Sequence, residues 1–77
     1  MRTETAEIVG DNIRMWLFLN HDTISKMADG IQMSRATLTE LKAGRSKMIQ
    51  FKTLEAIASY FNVSVPELVT KHHLRVS

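Results

Sequence analysis

The stretch from Ile24 to Ala43 constrains this chain most, because its apolar residues read as two short helices joined by a tight three-residue turn. Met27 and Ile31 are four apart and share one helical face, and Leu38 and Leu41 share a face of the next helix. With Ala28 and Met33 they make the inward surface of the pair. Ala28 offers only a methyl, which suits two helices that cross steeply at close range. The hydroxyl of Ser34 can accept an orphan backbone N–H and so cap the second helix. Gly44 can end that helix at positive φ.

The same 3.6-residue period runs through the rest of the chain. A first helix spans about Thr5 to Asn20, with Ala6, Val9, Ile13, Trp16 and Leu17 on one side. The second begins after Thr23, an N-cap residue, and ends near Gly30; the third runs from Ser34 to Ala43. After a loop from Gly44 to Gln50, Phe51, Leu54, Ile57, Ala58 and Phe61 form an amphipathic stripe for a fourth helix. Ser64, Val65, Pro66 and Glu67 open a fifth with a capping box, the proline standing where its missing N–H is harmless. Val65, Leu68 and Val69 are its apolar side, and the tail from about Lys71 is expected to fray. With no strand alternation or internal repeat, the expected fold is all-α: one compact five-helix bundle over residues 1–77.

Composition narrows the function. Apolar residues make up 44% of the chain, which argues against disorder along its whole length. There is no cysteine, hence no disulfide scaffold and no thiolate zinc site. His72 and His73 are adjacent and point about 100° apart on a helix, a poor geometry for chelating one ion even with His21 recruited. No nucleophile–base pair or glycine-rich phosphate cradle is present, so no catalytic residue, metal, cofactor or small-molecule substrate is expected. The apolar run from Met15 to Leu19 is too short to span a bilayer, and Glu4, Glu7 and Asp11 before it do not suit a signal peptide. A cytoplasmic protein without membrane attachment is expected. Charge is uneven: Arg35, Lys42, Arg45, Lys47 and Lys52 against Glu40 leave residues 34–52 at +4 in a chain of net +2. A basic segment on a slightly acidic body is the footprint of a phosphate-binding edge.

Placed as the second and third of five helices, the pair resembles the helix-turn-helix of the lambda-repressor-like, or Xre/Cro-type, family over about Asn12 to Val69. The resemblance implies that the helix at 34–43 enters the major groove of DNA. It also implies that Arg35, Ala36, Thr39 and Glu40 touch base edges. The chemistry is compatible: arginine forks onto guanine, glutamate accepts from cytosine N4, and alanine or a threonine methyl packs on the thymine methyl. Thr23, Ser34, Lys42, Arg45, Ser46 and Lys47 are the expected phosphate contacts, which set register and affinity without reading sequence. A pairing of Glu40 with a nearby base such as Arg35 or Lys42 is the competing role for that carboxylate.

Four positions depart from the family pattern. Gln32 stands where the turn usually has glycine, so either the turn carries strain on the order of 1 kcal/mol or its glycine has moved to Gly30. Ile24 replaces a phosphate-touching glutamine. Leu17 and Lys42 replace an arginine–glutamate pair together, a double change that can be neutral for the fold and leaves Lys42 free to lie toward DNA. Met48 and Ile49 replace the proline usual after the reading helix.

The expected function is a sequence-specific regulator of transcription on double-stranded DNA, of the Cro-like repressor or controller-protein type. A homodimer on a palindromic operator is expected, meeting around Val63, Val65 and Leu68. The competing reading is a protein-interaction module of the same fold, antitoxin-like or antirepressor-like. A second apolar strip on the first helix, Ile8, Met15, Phe18 and Leu19, is either covered by the last two helices or left for a partner.

Overall fold

The computed structural model describes residues 4–46 and 48–72. Five helices follow one another among them: α1 (Glu4–Leu19), α2 (Ile24–Ile31), α3 (Arg35–Lys42), α4 (Phe51–Phe61) and α5 (Val65–Leu68). No strand occurs among the described residues, and none of their helices is long and apolar enough to cross a membrane. The fold is the all-α bundle that the periodicity predicts.

The helix starts are set locally. The Thr23 hydroxyl accepts from the Lys26 N–H at 3.2 Å, and the Ser34 hydroxyl accepts from the Thr37 N–H at 3.1 Å. At α5 the capping box is complete. Ser64 Oγ accepts from the Glu67 N–H at 3.2 Å, and Glu67 Oε1 accepts from the Ser64 N–H at 3.0 Å. Those bonds from Ser64 hold the Glu67 carboxyl below the usual carboxylate range. Such a cap stabilises a helix start by about 1 kcal/mol, which matters for a helix of four residues.

α1 packs on α3 and α5, α2 packs on α3 and α4, and α4 packs on α5. The core between them is Val9, Ile13 and Leu17 of α1, Met27 and Ala28 of α2, Leu38 and Leu41 of α3, Ile57, Ala58 and Phe61 of α4, and Leu68 of α5. Trp16 is half-buried and stacks on Phe61 with ring centroids 5.4 Å apart. Among the described residues one polar side chain is inside: Asn12 donates through Nδ2 to the carbonyls of Leu68 at 2.6 Å and Thr70 at 2.9 Å, tying α1 to the end of α5. A buried amide is tolerated because it meets carbonyls that the short helix leaves open.

Two contacts need glycine. A Cβ on Gly10 would stand 2.9 Å from the Gly44 nitrogen and from the carbonyl oxygens of Leu41 and Lys42, so α1 lies directly on the end of α3. Gly44 itself sits at φ 74°, as expected of the residue that ends α3. A Cβ on Gly30 would stand 2.5 Å from Cε1 of Tyr60, so the ring lies flush on α2.

One expectation is corrected, and one open alternative resolves in part. Phe51 begins α4 but stands 62% exposed, and the core-facing stripe starts at Leu54. The second strip of α1 is not covered at its C-terminal end. Ile8 and Met15 are half-buried, whereas Phe18 is 77% and Leu19 51% exposed. Both lie in the last turn of α1.

Candidate nucleic-acid interface

The turn that sets α3 on α2 is made by Gln32 in the left-handed region, at φ 56° and ψ 47°. Its N–H and that of Met33 both donate to the Ala28 carbonyl, closing the end of α2. Of the two alternatives for this turn, the strained one is found. Gly30 has not moved into the turn; it stays in α2, where the Tyr60 ring needs it.

With Leu38 and Leu41 buried, α3 presents its other side outward. Arg35, Ala36, Thr39 and Glu40 are all exposed on it. Apart from Arg35 and Glu40 at its ends this face carries only small side chains, and so offers little steric resistance to close approach. Ser34 also stands exposed, with its hydroxyl turned back to donate to Thr37 Oγ1 at 2.8 Å. Ala43, which caps the end of α3, is half-buried.

Each charged group on this face is already engaged. Arg35 donates from Nη1 to Ser25 Oγ at 3.1 Å, bridging the starts of α3 and α2. Glu40 accepts from Arg45 Nε at 2.8 Å on Oε2. The partner of Glu40 is therefore Arg45, beyond the end of the helix, and neither Arg35 nor Lys42. That hydrogen bond, reinforced by charge, holds the Glu40 carboxyl below its ordinary range and pushes the Arg45 guanidinium further up. Both are about half exposed, so the pair adds little to stability.

Arg14 of α1 was not singled out by sequence and proves central. It pairs with Asp11 and donates to the Lys42 carbonyl at the C-terminal end of α3. A cation there meets the orphan carbonyls and the negative end of the helix dipole. Leu17, one turn further along α1, is a core residue. The arginine facing α3 thus stands at position 14, and it meets a backbone carbonyl instead of a glutamate. Two shallow concavities share Arg14 and Lys42: one opens toward Thr39 and Arg45, the other toward Thr23 and Ile24. Two expected phosphate contacts, Thr23 at the start of α2 and Arg45 after α3, therefore flank one basic edge.

The remaining expected residues divide. Lys42 and Ser46 are half-buried, while Lys47 lies outside the described residues. Val63 and Val65 are half-buried, but Leu68 is fully buried in the core and has no surface to offer a partner. The ring of His72 lies edge-on to Trp16 with centroids 5.6 Å apart. Its Nε2 is 2.8 Å from the Glu67 carbonyl oxygen. His73 lies outside the described residues, and among those described no three His, Asp or Glu side chains gather as a metal site would need.

The sequence signals for the missed residues were faint. Ser25 stands two residues after a capping threonine but does no capping itself, and Arg14 is a lone base on the polar side of α1. Comparison with protein families finds that the Cro/C1-type HTH DNA-binding domain matches residues 12–70. Neither a curated protein nor a solved structure matches the chain.

Proposed function

The chain belongs to the Cro/C1-type helix-turn-helix DNA-binding family, and from that premise we propose that it regulates transcription by reading duplex DNA in the major groove with α3. The observation that carries this reading is the outward face of α3: Arg35, Ala36, Thr39 and Glu40 exposed together, beside an edge formed by Arg14, Lys42 and Arg45. Arg35 reads a guanine, and Ala36 and Thr39 pack on thymine methyls. Glu40 accepts from a cytosine while Arg45 occupies its other oxygen. Lys42, Arg45, Ser46 and Lys47, with the start of α2 at Thr23 and of α3 at Ser34, hold phosphates.

The working form is a homodimer on a palindromic operator, since one module buries little surface and two-fold pairing reads half-sites about 34 Å apart. Val63 and Val65 supply part of the contact. The protein acts by binding, without catalysis, in the cytoplasm, as a repressor or controller protein.

The test is a titration of single-base variants of a selected duplex at two salt concentrations. Arg35→Ala should cost about 1–3 kcal/mol on the best site and relax preference mainly at one base pair. Lys47→Ala should weaken all duplexes nearly alike and lower the salt slope by about one. Identical profiles for the two variants would remove α3 as a reading helix. If duplex binding also proved insensitive to salt, the protein-interaction reading would replace this one.

A further inference from the structure

We propose that Ser25 is a positioning residue for Arg35, holding one end of the guanidinium so that its opposite edge is presented to a base. The proposal rests on the reading of α3 as the helix that enters the groove. Arg35 is the first residue of α3 and Ser25 the second of α2. Nη1 of the arginine donates to the serine hydroxyl at 3.1 Å, and both side chains are exposed. The serine is not needed for capping, because Thr23 satisfies the Lys26 N–H. What Ser25 adds is a tether between the two helices of the motif.

The geometry of a guanidinium makes this tether selective. Its five N–H donors lie in one plane. With Nη1 committed to Ser25, the edge formed by Nε and Nη2 is left to fork onto a paired acceptor such as guanine O6 and N7. A long side chain held this way loses less rotamer freedom when it docks. Arg45 makes an instructive contrast. It is held by Glu40, a carboxylate that offsets its charge and competes with phosphate for it. Ser25 is neutral, so it orients Arg35 while leaving the full cationic charge for DNA.

The test is a double-mutant cycle in the full chain with Ser25→Ala, Arg35→Ala, both together, and Ser25→Thr. Affinity is read on a duplex selected from a random pool and on variants at the base pair where Arg35→Ala relaxes preference. Ser25→Ala should weaken the best site by about two- to tenfold, the range of one hydrogen bond, and relax preference at that same base pair. It should do nothing further once Arg35 is alanine, and Ser25→Thr, which keeps a hydroxyl, should restore binding. In the free protein, relaxation of the Arg35 Nε–H should show an ordered side chain that becomes mobile in Ser25→Ala at unchanged thermal stability. Equal weakening with and without Arg35 would mean that Ser25 holds a phosphate itself and would overturn the proposal. An Arg35 equally mobile with serine or alanine at 25 would overturn it too. A loss of base preference in Arg35→Ala tests the reading of α3 separately, so the two failures are distinguishable.

Discussion

Where α3 meets α1, backbone lies against backbone; where α2 meets α4, a helix backbone lies against the ring of Tyr60. Both contacts exist because a glycine leaves room, yet they differ in how far they can yield. At Gly10 the neighbours are the Gly44 nitrogen and two carbonyl oxygens, none of which can move without moving the end of α3. At Gly30 the neighbour is a side chain, but one pinned at its far end, since the Tyr60 hydroxyl donates to Asp22 Oδ2 at 2.5 Å. Asp22 in turn accepts from the Thr23 N–H at 2.8 Å, just before α2 begins. The first contact is therefore steric and rigid. The second is a steric contact whose stiffness comes from a hydrogen bond, and it inherits the chemistry of that bond.

The largest expected effect is at the rigid contact. Gly10→Ala should destabilise the fold by about 3 kcal/mol, the upper part of the usual range for overpacking, because the added methyl meets backbone on three sides. Chemical denaturation measures it, and a loss below about 1 kcal/mol would show that α1 and α3 have slack between them. Gly30→Ala should cost less, about 1–2 kcal/mol, because the ring shifts in part and alanine is the better helix former by about 1 kcal/mol. The contrast sharpens in a Tyr60→Ala background. There Gly30→Ala should turn stabilising, by about 1 kcal/mol from helix propensity alone.

Tyr60→Phe keeps the ring and removes the bond to Asp22, for an expected loss of about 1 kcal/mol near neutral pH. Burial, followed by the Asp22 bond and its negative charge, pushes the Tyr60 hydroxyl up to about 12 from an ordinary 10. The folded state therefore holds this proton more tightly than the unfolded chain does. The stabilisation is full below pH 10 and is lost as pH rises from 10 toward 12. A pH series of denaturation midpoints should show that alkaline loss in the parent and a smaller one in Tyr60→Phe. Gln32→Gly is the smallest effect, a gain of up to about 1 kcal/mol from relieving a left-handed glutamine. The turn lies between the two contacts, so no gain would mean that they hold α2 and α3 in place at no cost to Gln32.

Much of the fold was legible because it is written within single turns of helix. Thr23, Ser34 and Ser64 each act on a backbone N–H three residues away, and the apolar spacings that mark Ile57, Ala58 and Phe61 hold in any tertiary setting. The exposed face of α3 followed from burying Leu38 and Leu41. Phe51 misled for the same local reason: its spacing fits the stripe, but a residue in the first turn of a helix has a neighbour only if the tertiary structure supplies one. Leu68 misled oppositely, since nothing local distinguishes an apolar residue that faces a partner from one that faces α1.

The sequence by itself determined the order of the helices, their starts, the inward side of the motif and the residues available on its outward side, because each depends on the local geometry of one helix. Only the tertiary structure decided that Arg14 closes the end of α3, that Ser25 holds Arg35 and that Glu40 answers to Arg45. It alone placed Asn12 on the carbonyls of Leu68 and Thr70 and Tyr60 on Gly30. Most of these partners are far apart in the chain, and even the nearer ones lie on different helices or past a helix end. A polar side chain finds such a partner only after hydrophobic burial has fixed which helices cross and at what height, and burial is blind to which donor will meet which acceptor.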